Sequence, residues 1–239
     1  MIDPDLEFLH KCNNEELDPL VKYITKADTN ALDITDVYKK YYPNHVHYVD
    51  EIIRELQLFG GNTIANILRN NEGVAYKEIV QDVCKKLKVK IEEKDSVEEM
   101  EEKLLLKVFD DTIKKMSDSE KKTFEEVLQQ AGVGKVDLSS GIPIGLILAQ
   151  AGIRFSGFLA YEISVIVANA VARTVLGEGL SLAANATLTR SIAIFAGPIG
   201  WVITGLWTFI DIAGPAYRVT VPCVIHIAYL RQKKQRGYS

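Results

Sequence analysis

Cysteine, histidine and any excess of positive charge are scarce in this chain, and each shortage removes a class of explanation. The three cysteines, Cys12, Cys84 and Cys223, are far apart, odd in number and without CxxC spacing. That usage fits a reducing compartment and excludes a disulfide framework. Only four histidines occur, His10, His45, His47 and His226, and none has the i, i+4 partner that sets two ligands on one helical face. No metal and no other cofactor is therefore expected. Lysine and arginine number 28 against 32 aspartates and glutamates, a net charge of -4, which argues against a nucleic-acid partner. The opening Met-Ile-Asp-Pro-Asp-Leu-Glu has no positive region followed by an apolar run, so no secretory signal is read and a cytoplasmic location is expected.

What is present is unevenly spread over the 239 residues. Residues 1 to 137 hold 20 of the 28 cations and 29 of the 32 anions, whereas 11 of the 16 glycines come later. From Leu138 to Leu230 the only charged side chains are Arg154, Glu162, Arg173, Glu178, Arg190, Asp211 and Arg218. All the cations among them are arginine, which suits partly buried pairing better than lysine. The shift predicts an acidic helical domain over 1–131, a linker over 132–141 and an apolar helical domain with a basic tail over 142–239.

Apolar residues in the acidic part recur at helical intervals, with stop and start signals between them. Asp3-Pro4 reads as an N-cap with a first-turn proline, and Asn14 before Glu15 and Glu16 as a second cap. Val49, Ile52, Ile53, Leu56 and Phe59 form one stripe of a helix from about Asn44 to Phe59. Gly60 and Gly61 are expected to end it, one of them in the left-handed conformation that glycine tolerates. A further stripe runs from Val74 to Leu87, with Lys85, Lys86, Lys88 and Lys90 at its C-terminal end. Ser96-Val97-Glu98-Glu99 matches a capping box, and Phe124, Val127 and Leu128 mark a last helix before Gly132. No strand alternation or fixed-period repeat competes. The expected fold is all-α: a bundle of short helices followed by a Gly- and Ala-rich helical part.

The apolar part carries the functional signal. Residues 191–210 contain no charge, and a straight helix of that length spans about 30 Å, the thickness of a bilayer core. Gly197, Pro198 and Gly200 argue for a helix, a corner and a second helix instead of a straight rod. Leu138–Ile153 and Val219–Leu230 are shorter and broken by Pro143 and Pro222. Two readings stand. Either these residues, with Ala168, Ala170 and Ala172 among them, form the dry centre of a soluble bundle, or they meet a bilayer. In the second, Trp201 and Trp207 sit at the interface, and Arg231, Lys233, Lys234 and Arg236 face anionic headgroups, each cation contributing roughly 1 kcal/mol. Asp211 and Arg218 flank Gly214-Pro215, whose corner could bring them together as a pair. Arg218 is otherwise a candidate contact for a headgroup or a partner's carboxylate.

Two blocks carry a family resemblance. Leu56-Gln57-Leu58-Phe59-Gly60-Gly61-Asn62-Thr63-Ile64-Ala65-Asn66 and Gly214-Pro215-Ala216-Tyr217-Arg218-Val219-Thr220-Val221-Pro222 resemble the most recognisable stretches of the bacterial YaaW-like family, and Asp5-Leu6-Glu7-Phe8-Leu9 resembles its short N-terminal module. The likeness covers nearly the whole chain. A distant link of that family to ubiquinol-cytochrome c chaperones implies an assembly or binding role, and no functional residue is carried across.

The search for chemistry returns little. Gly132-Val133-Gly134-Lys135 departs from a P-loop, with Gln129 at its first glycine position and Val136 in place of Ser or Thr. No nucleophile elbow occurs. Glu98, Glu99, Glu101 and Glu102 fit the solvated first turns of a helix. The expectation is a non-enzymatic protein, without catalytic residues, whose apolar part contacts a membrane surface, an anionic lipid or an apolar protein partner. The rival reading is a fully soluble scaffold or chaperone-like module that binds protein through its N-terminal half.

Overall fold

The computed structural model describes residues 3–61, 73–130, 134–150, 158–182, 205, 215–235 and 237. Nine α-helices and no strand lie among them, so the chain is all-α: α1 Asn14–Thr25, α2 Asp36–Tyr41, α3 Val49–Gly60, α4 Tyr76–Lys86, α5 Val97–Lys115, α6 Asp118–Gln130, α7 Ile144–Gln150, α8 Phe158–Leu176 and α9 Pro215–Gln235. Short 3-10 turns precede α1, α2, α3 and α7.

Side-chain caps set the helix starts. The Ser96 hydroxyl accepts from the Glu99 amide at 3.2 Å while the Glu99 carboxylate accepts from the Ser96 amide at 2.8 Å, the reciprocal pair that the sequence predicts. At α1 the same box is closed by Asn13 with Glu16, one residue earlier than expected. Asp3 caps more than its own turn. One carboxylate oxygen accepts from the Asp5 amide, and the other accepts from the first amide of α4, Tyr76, at 2.7 Å. Asp110 in α5 likewise accepts from the Ile144 amide and so starts α7.

The expectation for Gly60 and Gly61 is corrected. Gly60 is the last residue of α3, and Gly61 has φ -82° and ψ 136°, extended backbone open to any residue. Space, not a left-handed angle, is what Gly60 provides. A Cβ there would lie 2.7 Å from Ile79 Cδ1 and 2.8 Å from Val74 Cγ2, where α3 closes on α4.

One apolar core runs through the described residues, from Leu6 to Leu230. Its centre is α9, which packs against α1, α3, α4, α5 and α8. Every residue from 219 to 232 on α9 and from 160 to 172 on α8 is buried. A helix enclosed on all sides must be apolar all round, whereas a surface helix needs one apolar stripe. In α8 and α9 the lack of charge thus reflects position at the centre of a core that these helices share with α1, α3, α4 and α5. α9 also continues through Pro222, where the sequence predicts a break. Burial on every side offsets the hydrogen bond that proline removes. Among the described residues no helix is long and apolar enough to cross a membrane.

Candidate functional site

The last two turns of α9 carry a polar seam into this core. Arg231 is 8 % exposed and Glu101, on α5, 2 %. Arg231 Nε donates to Glu101 Oε2 at 2.7 Å, and Nη2 donates to the Asp5 carbonyl at 2.8 Å. The Tyr76 hydroxyl donates to Glu101 Oε1 at 2.8 Å. The guanidinium lies 4.6 Å from the centre of the Phe8 ring, a cation–π contact. Burial pushes the Glu101 carboxyl up, and Arg231 and Tyr76 draw it back without cancelling the rise. Burial works against the Arg231 charge too, but Glu101 outweighs it and holds Arg231 above its ordinary value.

A second buried carboxylate, Glu16 at the start of α1, receives Lys233 Nζ at 2.7 Å and Lys234 Nζ at 2.9 Å. Burial alone would raise it, but hydrogen bonds from Lys233, the Asn13 amide and Lys234 prevail and keep it below the usual carboxylate range. Gln232 and Gln235 extend the seam to Glu102 and Glu98. Two acidic positions, from α1 and α5, therefore absorb three cations of α9.

On another face a cleft of about 290 Å³ lies between α1, the turn after α2 and the loop leaving α8, lined by Asn14, Asp18, Lys22, His45, Leu176 and Glu178 among others. The buried His45 ring is held from both sides. The Tyr48 hydroxyl lies 2.5 Å from Nδ1 and Asp18 Oδ1 lies 3.3 Å from Nε2. Burial pushes the Tyr48 hydroxyl up, so it keeps its proton and donates to Nδ1, which leaves Nε2–H to donate to Asp18. Burial also lowers His45, against the pull of Asp18. Lys22 then bridges Asp18 at 2.7 Å and Glu178 at 2.6 Å, and these two hydrogen bonds raise its pKa. The row can bind polar groups, and Ser181, which lines the same cleft, turns its hydroxyl to Glu15. Among the described residues no cluster of three His, Cys, Asp or Glu suits a metal ion.

Comparison with known proteins places this arrangement in a family. The chain is 40% identical over 98% of its length to a UPF0174 protein of Helicobacter pylori, covering 93% of that relative. It is 30% identical over 96% of its length to UPF0174 protein YaaW of Escherichia coli K12, covering 94% of it. The chain belongs to the UPF0174, or YaaW-like, family. Residues 1–29 also match the model described as domain of unknown function DUF3944; in this UPF0174 chain they supply Asp3, Asp5, Asn13 and Glu16 to the caps and the seam. No solved structure matches.

The structure distributes the sequence-predicted residues of this YaaW-like chain unevenly. Arg231, Lys233 and Lys234, expected to face headgroups, turn inward onto Glu101 and Glu16. Arg218 is exposed in the first turn of α9, and Pro215 opens that helix, where a missing amide costs nothing. Trp201, Trp207, Asp211, Gly214 and Arg236 lie outside the described residues. Sequence reasoning missed Glu16, Tyr76 and Glu101 as the partners of α9. One signal was readable for Glu101: in the run Glu98 to Glu102 it falls four residues after Val97 and three before Leu104, on the buried stripe.

Proposed function

We propose that the protein is a non-enzymatic, membrane-contacting helical protein whose uncharged run 191–210 meets the bilayer. The observation that carries this reading is the combination of that run with its flanks. The helices before and after it, α8 and α9, are enclosed at the centre of the core. Between them the chain passes 20 residues without a charge and with both of its tryptophans. Tryptophan favours the headgroup level of a bilayer. Arg231, Lys233 and Lys234 serve the seam and take no part in headgroup contact in this reading.

Since Trp201 and Trp207 are the chain's only tryptophans, their fluorescence reports this run alone. Full-length protein is mixed with vesicles of phosphatidylethanolamine and phosphatidylglycerol carrying brominated acyl chains. Flotation with the vesicles and quenching of the tryptophan emission are expected. Protein that stays at the bottom of the gradient with unquenched emission rejects the reading. The alternative, a soluble protein-binding module, is favoured by one observation: Ile34, Tyr42 and Val46 are large apolar side chains exposed within a short stretch around α2.

A further inference from the structure

Among the fully enclosed positions of α8 stands one carboxylic acid, Glu162, at 4 % exposure. Its Oε1 has no hydrogen-bond partner. A buried carboxylate without a cation is among the costliest arrangements in a folded chain, and such a group escapes the cost by taking up a proton. Among the described residues no cation is paired with it, and burial is the one influence on its proton affinity. On α5, Glu101 is taken by Arg231, Lys103 by Asp95 and Lys107 by Asp111, and Asp110 caps α7. On α9, Lys233 and Lys234 are taken by Glu16. On α1, Lys22 binds Asp18 and Glu178, and Lys26 reaches the Val175 carbonyl. On α9, Arg218 lies exposed in the first turn and burial pushes the Cys223 thiol up, so the thiol stays uncharged. Tyr229 packs on Tyr161 and His226 on Tyr229 and Tyr23, and burial keeps Tyr229, His226 and Tyr23 neutral at neutral pH. The Tyr23 hydroxyl and His226 Nδ1 also lack partners, so this interior leaves polar atoms unmatched on α1, α8 and α9 alike.

We propose that Glu162 is a proton-binding site that couples the seating of α8 to pH: the helix is held in the core with the carboxyl protonated, and loss of the proton loosens it. With the proton in place, residues 158–172 carry no charge at all. Burial alone pushes this carboxyl up to about 7 from an ordinary 4.5. The unfolded chain releases the proton above about 4.5 and the folded chain only above about 7. The contribution to stability is therefore complete in acid, declines between those values and is level above them.

The test compares full-length protein with Glu162→Gln, which keeps the shape and cannot ionise. Unfolding constants from urea titrations are measured from pH 4.5 to 8. The ratio of wild type to variant should rise on the order of 100-fold between pH 4.5 and 7.5 and then level off. Taking the ratio cancels every other titrating group. A ratio independent of pH overturns the proposal. Should the variant fail to fold, carbon-13 NMR of the assigned Glu162 carboxyl in the wild-type chain decides. A midpoint near neutrality supports the site, and a midpoint in the ordinary glutamate range overturns it.

Discussion

Replacing Arg231 by methionine tests whether the seam holds α9 in place. The change keeps much of the apolar stem and removes the guanidinium, so Glu101 loses its bonds from Nε and Nη2 and retains the Tyr76 hydroxyl. The Asp5 carbonyl also loses a donor, and Phe8 loses its stacked cation. Breaking one side of a buried pair costs about 3 to 5 kcal/mol. Proton uptake sets a ceiling on the electrostatic part, since protonating a carboxyl of ordinary value 4.5 at pH 7 costs about 3 kcal/mol. The remainder is lost packing and the orphaned carbonyl. The penalty should consequently shrink at pH 5, where the same proton costs about 0.7 kcal/mol. Glu101→Gln on its own leaves Arg231 without its counter-charge, and the double variant Arg231→Met/Glu101→Gln should recover much of the loss. Urea unfolding followed by circular dichroism, run as a double-mutant cycle at pH 7 and pH 5, measures all of this. Additive single changes, or a penalty below about 1 kcal/mol as at an exposed pair, would refute the seam.

Two further outcomes follow from the same interior. Gly60→Val should destabilise by about 1 to 3 kcal/mol through overpacking against Ile79 and Val74, and an unchanged denaturant midpoint would show that α3 and α4 are not in close contact. His226, whose Nε2 faces the Glu16 carbonyl at 2.8 Å, is lowered by burial to about 4. The unfolded chain takes its proton near 6.5 and the folded chain resists until about 4, so stability is lost as pH falls through that window, by about 3 kcal/mol. Against a Glu162→Gln background, which removes the opposing titration, His226→Gln should flatten this acid limb; an unaltered limb would place the titrating group elsewhere.

What could be read from the sequence followed the range of the interactions involved. The Ser96 box and the stripe from Val74 to Leu87 are local, and both were legible. The cap of α1 was readable too, since Asn13 and Glu16 have the required spacing, but the adjacent Asn14 offers the same side chain and drew the assignment one position late. Gly60 shows a sharper limit. A glycine at a helix end is consistent with an unusual angle or with a close neighbour, and only the packing of Ile79 and Val74 tells them apart. The basic residues of α9 were misread because their partners lie 130 residues away at Glu101 and more than 200 away at Glu16, and composition cannot see such pairings. The lack of charge left burial and lipid contact open, and the structure shows burial for α8 and α9.

The central place of α9 also bears on how the protein is made. Translation delivers α1, α3, α4 and α5 early, yet each of them packs on a helix that begins only at Pro215. Until α9 leaves the ribosome, these amphipathic helices lack the element they all pack on, and Glu16 and Glu101 lack the cations of α9. Most chains can begin folding from the N-terminus during synthesis. Here the nascent helices wait for α9, and a nonsense mutation anywhere before it should yield a product prone to proteolysis.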